Sequence, residues 1–507
     1  MKFNVSTAAA QSRNAVTNHE GARAYALTPA LELYTAVVTA ALSDQFYEKA
    51  DGRLARLRAL IAKNDPVFVA QLAVYAREQM HLRTVPLVLV VELAKIHNGD
   101  NLVSRLVARV VQRADEITEL LAYYQLANER KGAKKLGLLS KQMQKGLALA
   151  FNRFDAYQFA KYDRQTEVKL RDALFLVHPK AASAEQQSRF DRIANGTLAT
   201  PYTWETELSA LGQRTFEHEA AKQAAFRVRW EELIDSGKLG YMALLRNLRN
   251  LLEARVSQLH AAKVARRLAD AREVAKSKQL PFRFLSAYRE VKPVVSPNAT
   301  LILTALEAAV ATSAANIRGF DADTRVLIAC DVSGSMQKAI SAKSTVQNYD
   351  IGLMLGMLLQ SRAQSVVTGI FGDTWKVINL PQRNVLANVG ELHRREGEVG
   401  YATNGYLVIK DLIARKLTMD KVMLFTDCQL WNSQGSGESI PVLWDHYQRI
   451  APHARLYLFD LAGYGNVPVR VVGNVSFVAG WSDKVFDVLA AIENGGSALT
   501  EIGKVDL

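Results

Sequence analysis

A chain of 507 residues exceeds what one hydrophobic core usually serves, so two or more domains are expected. With 49% hydrophobic and 22% charged residues, 12 Pro, 29 Gly and two Cys, the sequence excludes a disordered or collagen-like chain, a disulfide scaffold and a four-thiolate zinc site. The net charge of +13 is uneven: residues 1–300 hold 45 Lys and Arg against 30 Asp and Glu, whereas 301–507 hold 18 against 20, so the first part is expected to meet a polyanion and the second not. Met1 to Val16 has no apolar core, which argues against a secretory signal. The longest strongly apolar run, Val85 to Val91, is far short of the roughly 20 residues of a membrane span. A cytoplasmic protein with no membrane partner is expected.

Upstream of Pro297 the pattern is helical almost throughout. Asp65-Pro66 puts a carboxylate at an N-cap and proline at the first helical position, where its missing N–H costs nothing. Val67, Phe68, Leu72, Tyr75 and Ala76 then recur at helical spacing up to Met80, and Thr84 with Pro86 starts a second apolar helix that runs to about Ile96. Further helices are predicted near 101–113, 115–128, 141–152, 155–162, 166–177, 204–213, 216–235, 239–257 and 259–275. Short helices on short linkers favour antiparallel pairs stacked as an α-solenoid, although no clean repeat is visible.

Within this part, residues 101–180 carry 15 Lys and Arg against 8 Asp and Glu. Lys131, Lys134, Lys135, Lys141 and Lys145 form one run; Arg153, Lys161, Arg164, Lys169 and Arg171 follow, and His178 closes the segment. Phe151, Phe154, Tyr157, Phe159 and Tyr162 interleave with them. Cations hold phosphates and exposed aromatics stack single-stranded bases. The plainer reading, which composition alone favours, makes the aromatics helix core and the cations their solvated face.

Downstream of about residue 320 the period changes. Arg325 to Cys330 is a short, doubly apolar run that suits a central parallel strand. Ser365 to Phe371, Thr374 to Leu380, Lys421 to Thr426 and Ala454 to Leu461 read as further strands. Helices are predicted between them near 345–363, 384–393, 404–416 and 440–450, with a last one near 482–494. Alternating strands and helices argue for an open α/β sheet, which binds ligands beyond the carboxyl ends of its strands.

The first strand ends in Asp331-Val332-Ser333-Gly334-Ser335. A carboxylate and two hydroxyls at alternate positions of a tight loop can converge on a hard cation, and magnesium favours such an all-oxygen set completed by water. Asp427 follows the apolar strand Val422 to Phe425 and ends at the same sheet edge, and Thr403 stands just before the helix that starts at Gly405. A Ser-rich turn with an N-capping Asp would account for the first loop by itself, but the second strand-end Asp favours the metal reading. A nuclease with paired carboxylates on metal is the third possibility, and two hydroxyls among the ligands argue against it. Cys330 and Cys428 sit where buried strand residues sit, with no His near either in sequence.

This constellation resembles the metal-ion-dependent adhesion site of von Willebrand factor A domains, with Asp331, Ser333, Ser335, Thr403 and Asp427 in the ligand positions. The stretch Gly146 to Arg164, continuing through Val168 to Pro179, resembles the Ro autoantigen family, as do Asp65-Pro66 with Ala76-Arg77-Glu78, and Met242 to Arg249. The resemblance implies an α plus α/β chain: a ring of HEAT-like α-helical repeats, the TROVE domain, at 1–300, followed by a von Willebrand A (Rossmann-like) α/β domain at 318–500. It implies binding of small noncoding Y RNAs on a basic outer surface and of single-stranded 3′ ends of misfolded RNAs in the central hole. Lys161 and His178 match positions that family members use for Y RNA contact, and Arg164 lies one place from the family's arginine, where Gln165 stands. Lys141, Lys145, Lys169 and Arg171 extend the expected RNA surface. Bacterial members are tethered to polynucleotide phosphorylase through their RNA, so a 3′-exoribonuclease partner is implied. The expected protein is a monomeric, non-catalytic RNA-binding protein of RNA quality control, with magnesium or another divalent cation. The runner-up is an interaction scaffold whose A domain docks an acidic partner and needs no RNA.

Overall fold

The computed structural model describes residues 15–39, 48–129, 139–164, 166–314, 317, 320, 323–341, 344–435 and 437–507. Lys131, Lys134, Lys135, Gln165 and all but the last two residues of the stretch Met1 to Val16 lie outside the described residues. The chain forms two compact units, Arg58–His260 with Ile502–Leu507, and Met1–Leu57 with Ala261–Glu501. This division falls elsewhere than the change of period near residue 300.

The first unit is helical: Pro66–Glu78, Thr84–Ile96, Leu102–Val110, Ala114–Ala127, Lys141–Phe151, Ala156–Tyr162, Leu170–Val177, Ala184–Asn195, Trp204–Gly212, Glu219–Asp235, Tyr241–Arg246 and Leu248–Glu253. Asp65 caps the first as expected, accepting from the amides of Val67 at 2.8 Å and Phe68 at 3.1 Å. Pro66–Glu78 packs on Thr84–Ile96 and on Leu102–Val110, and Leu102–Val110 in turn on Lys141–Phe151, so helices touch both the next and the next but one. That is the stacking of a helical-repeat array. Ala76-Arg77-Glu78 is a packing motif within it. Arg77 donates to the buried Glu116 carboxylate at 2.8 and 3.0 Å and to the Val110 carbonyl at 3.0 Å, while Glu78 accepts from Arg109 at 2.8 and 3.0 Å.

Two long predicted helices are broken. Asn247 separates Tyr241–Arg246 from Leu248–Glu253, its side chain bonding back to the Ala243 carbonyl at 2.8 Å. Asp270 ends Gln258–Ala269 and caps Ala271–Ser277 through the amides of Arg272 and Glu273, both at 2.9 Å.

Gly146 sets a close helix approach: a Cβ there would come within 2.5 Å of Val107 Cβ and 2.7 Å of the Ser104 carbonyl oxygen. Alanine would add up to about 1 kcal/mol of helix propensity, but forcing two helices apart in a packed core costs about 1–3 kcal/mol. Gly146→Ala is therefore expected to be destabilising, read as a lower urea midpoint at unchanged m-value.

The second unit holds two sheets. Strands β1 (Ala15–Thr17) and β2 (Arg23–Ala26) form an antiparallel hairpin. The main sheet takes β3 (Arg325–Asp331), β4 (Ser365–Phe371), β5 (Trp375–Val377), β6 (Lys421–Thr426) and β7 (Arg455–Asp460); β8 (Asn466–Val467) joins the hairpin, and β9 (Val475–Ala479) ends the main sheet. The main order is β5-β4-β3-β6-β7-β9, parallel except for β5. Both faces of β3 and β6 are buried, as their unbroken apolar runs require. Helices Asn348–Gln360, Val385–Arg394, Tyr406–Ala414, Ile440–Ile450 and Val485–Glu493 alternate with the strands. Asn348–Gln360 is buried throughout and seats Gly356 on the sheet, where a Cβ would meet Cys330 Sγ and Ile328 Cγ2 at 3.1 Å.

This unit also contains helices absent from the sequence reading: Pro29–Val38, Pro281–Val291 and Ala299–Ser313. Tyr34 donates to the Ala479 carbonyl at 3.0 Å. Arg53, fully buried on the helix Ala50–Lys63, donates to the Ala462 carbonyl at 2.9 Å and to Thr39 Oγ1 at 3.1 Å.

Candidate functional site

Parallel pairing aligns the carboxyl ends of β3, β6 and β7. Asp331 pairs with Phe371 of β4, and Thr426 of β6 with Asp460 of β7, so Asp331, Asp427 and Asp460 gather on one edge. Asp331 Oδ1 accepts from the Ser333 amide at 2.9 Å, and its Oδ2 accepts from the Thr426 hydroxyl at 2.6 Å. The Ser333 and Ser335 hydroxyl oxygens lie 3.3 Å apart. The Gly334 amide donates to the Tyr401 carbonyl at 2.9 Å, drawing the 401–405 loop onto the Asp-x-Ser loop. Thr403 on that loop donates to the Gln429 carbonyl at 3.2 Å, and the Gln429 amide donates to Asp427 Oδ1 at 2.9 Å. Cys428 makes this return possible by adopting a left-handed backbone at φ 63°, a strained conformation for a residue with a Cβ. All five expected ligand residues are thus buried on three loops of one sheet edge.

The electrostatics of this edge are one-sided. Burial, followed by the charge of Asp427, pushes the Asp331 carboxyl up, and burial pushes up that of Asp427. Asp427 Oδ2 is buried without a hydrogen-bond partner. Among the described residues no group of three His, Cys, Asp or Glu could hold a metal. Two carboxylates with three hydroxyls are a different donor set, the kind a hard cation takes together with water. A cation there would neutralise the repulsion between the carboxylates and occupy the orphaned oxygen, so the residues fit such an ion.

Thr426, Gln429 and Asp460 belong to this edge and were missed by the sequence reading. Asp460 directly follows an apolar strand, the same signal that singled out Asp331 and Asp427. Its Oδ1 accepts from the amides of Ala462 at 3.0 Å and Gly463 at 2.8 Å, and burial pushes its carboxyl up to about 6. Both cysteines are fully buried, and burial raises both thiols, which fits small core residues rather than nucleophiles.

In the helical unit the aromatics of the basic segment divide. Phe151, Phe154 and Phe159 are core, with ring centres 5.9 to 6.1 Å apart. Tyr157 is 43% exposed, and Lys161 Nζ lies 5.8 Å from its ring centre and 5.6 Å from that of Tyr162. Arg113 covers the Tyr162 ring at 4.5 Å, a cation the sequence reading did not select. Arg164, Lys169, Arg171, Lys141, Lys145 and His178 are exposed. His178 takes a left-handed backbone at φ 47° as it caps Leu170–Val177, and its amide donates to the Leu174 carbonyl at 2.9 Å. Lys169 and Arg171 begin that eight-residue helix, so about 12 Å of helix separates them from His178. Gln144, between Lys141 and Lys145, bonds the Val177 carbonyl at 3.2 Å and places those lysines toward the His178 end.

A helical-repeat unit joined to an open parallel sheet of this strand order defines a chain that combines α-helical repeats with a von Willebrand A-type α/β domain. The TROVE domain model matches residues 31–226 and 197–304, together more than half of the chain. The chain belongs to the TROVE-domain family. Its fold is similar to that of the Ro (RSR) protein of Deinococcus radiodurans, with a TM-score of 0.58 and 18% identity over 91% of this chain and 99% of that one. Curated relatives include the telomerase protein component 1 of Rattus norvegicus, 46% identical over 91 residues, and that of Mus musculus, 44% identical over 94 residues. Each match covers 18% of this chain and only 3% of the relative. No described helix is long and apolar enough to cross a membrane.

Proposed function

We propose that this TROVE-family RNA-binding protein takes small structured Y-type RNAs on the basic surface of its helical unit and single-stranded 3′ ends of misfolded RNA in the same unit. It would act in the cytoplasm as a non-catalytic component of RNA quality control, alongside a 3′-exoribonuclease such as polynucleotide phosphorylase. The observation that carries this reading is the cluster of Lys161, Tyr157, Tyr162 and Arg113, where cations lie on exposed or half-exposed rings. Such a surface holds phosphate and offers a stacking face for an unpaired base. In the other unit Asp331, Ser333, Ser335, Thr403 and Asp427 would hold magnesium or another divalent cation. Three hydroxyls among the ligands, where a two-metal nuclease uses carboxylates, support an adhesive or structural ion over a hydrolytic one.

The test is titration with a structured RNA bearing a single-stranded 3′ tail at several salt concentrations. Binding should weaken with salt at a log–log slope of about −0.7 per phosphate contact for single strands. Lys161→Ala should lower affinity and flatten that slope by about one contact. His178→Ala should lower affinity by removing a hydrogen bond or a stacking face, and neither change should alter magnesium binding. If both variants bind like the parent at every salt, the RNA surface is misassigned and a docking scaffold that needs no RNA is favoured.

A further inference from the structure

The helix Glu219–Asp235 is thinly covered: of its 17 residues only Trp230 and Leu233 are buried, both near its carboxyl end. Helical spacing lines up Glu219, Lys222, Phe226 and Trp230 on one face. That face, with Leu208 of Trp204–Gly212 and Glu253 of Leu248–Glu253, lines a surface cavity of about 320 Å³ within the helical unit. Ligand pockets begin at about this size. Trp230 is the aromatic floor, stacked on Trp204 with ring centres 6.3 Å apart and planes 18° from parallel. Phe226, half-buried one turn earlier on the same helix, adds an apolar wall. The polar groups at the mouth are of both signs. Glu219, Lys222 and Glu253 are exposed; Lys222 Nζ lies 3.5 Å from the Glu219 carboxylate, and Arg249 Nε 3.6 Å from that of Glu253. Exposed pairs of this kind are weak and exchange readily for a ligand.

Two carboxylates at the mouth repel phosphate, so an RNA backbone does not enter here. An aromatic floor flanked by donors and acceptors suits a flat ring that stacks and hydrogen-bonds along its edge, which is how unpaired bases are taken. Among the common RNA bases only guanine turns two adjacent N–H donors, N1 and N2, toward one carboxylate, and it offers O6 and N7 to a cation. We propose that this cavity is a guanine-selective base pocket. The ring lies against Phe226 and Trp230, the Glu253 carboxylate accepts from N1–H and N2–H, and Lys222 donates to the O6 and N7 edge. The base comes from an unpaired guanosine of the bound RNA, which rests on the function proposed above, or from a free guanine nucleotide.

The experiment titrates the full chain by calorimetry in two arms. One uses guanosine and inosine monophosphate, which differ only in the exocyclic amino group at N2; the other uses a hairpin RNA whose adenine 3′ tail carries one guanosine or one inosine. The guanine ligand should bind about tenfold more tightly than its inosine counterpart, the discrimination of one bidentate base contact. Glu253→Gln should erase that preference, and Phe226→Ala should weaken the guanine ligand about tenfold through the lost stacking face. Glu253 is exposed, so its variant keeps the fold and decides the matter even where Phe226→Ala unfolds. Lys161→Ala, outside the cavity, should weaken both RNAs alike and leave the preference intact. A preference in the tailed RNA assigns the base to the bound strand, and one in the mononucleotides alone makes the free nucleotide the ligand. Guanine and inosine ligands that bind alike in both arms, or a preference that survives Glu253→Gln, would overturn the pocket; a loss in Lys161→Ala would then leave the RNA reading standing. Mononucleotide discrimination without any effect of Lys161→Ala would keep the pocket and sink the RNA surface instead.

Discussion

Replacing Arg289 with methionine should cost about 3–5 kcal/mol of stability at neutral pH, because it strands a charge in the core. Asp350 is fully buried at the start of Asn348–Gln360, and Arg289 of Pro281–Val291 holds it in a two-pronged pair, Nη1 to Oδ2 at 2.8 Å and Nη2 to Oδ1 at 2.5 Å. His393 Nδ1 lies 3.3 Å from Oδ1, and the Gln347 amide donates to Oδ2 at 2.9 Å. Burial pushes the Asp350 carboxyl up, but the hydrogen bonds from His393 and Arg289 and the Arg289 charge outweigh it and hold the group below its ordinary range. A folded-state value below the unfolded one contributes stability above the unfolded pKa, lost as pH falls through the folded value. In Arg289→Met the opposing terms shrink and burial dominates, so the carboxyl should rise and the dependence reverse, stability falling as pH climbs past the unfolded value of about 4. Urea unfolding from pH 3 to 7 checks this: the penalty should be large at pH 7 and shrink toward pH 3. A penalty that is the same at both ends would mean that lost packing, not charge, is responsible.

Asp427→Asn should abolish the magnesium dependence of the melting temperature and raise the melting temperature of the metal-free protein. Asp331 and Asp427 are both buried, burial pushes both carboxyls up, and the charge of Asp427 pushes that of Asp331 up further. The substitution keeps an oxygen to accept from the Gln429 amide and puts an N–H₂ where Oδ2 has no partner, removing the repulsion at nearly constant shape. For the parent, magnesium at 100 times its dissociation constant would add about 2.7 kcal/mol, and for the variant nothing. Thermal melts with magnesium and with chelator read both effects. Equal magnesium shifts in the two proteins would sink the assignment of Asp427 as a ligand.

Much of the fold was legible where the signal is local. Asp65-Pro66 announces a helix start by itself, and the apolar runs of β3 and β6 announce central strands. The gathering of Asp331 and Asp427 at one sheet edge was legible for the same reason, since each follows such a run directly. Asp460 obeys the same rule and went unread only because no motif pointed to it. The hairpin Ala15–Ala26 was not legible, because β2 finds its sheet partner in a two-residue strand at Asn466–Val467 that carries no periodicity. Asn247 and Asp270 break helices by local side-chain bonds that an apolar period does not register. In the basic segment spacing could not separate core from surface rings. Phe151, Phe154 and Phe159 lack a polar tip and close on one another, while Tyr157, which has one, stays exposed.

The pairing of β2 with β8 has a consequence for the order in which the chain is made. Some 440 residues separate Ala26 from Asn466, so at about 5–20 residues per second the hairpin waits about 20–90 seconds for its partner strand during synthesis. The stretch Arg58–His260 is finished long before then and forms nearly all of one compact unit. Synthesis in chain order therefore builds the helical repeats while the N-terminal segment is still an open edge, and of that helical unit only Ile502–Leu507 is made after the α/β unit.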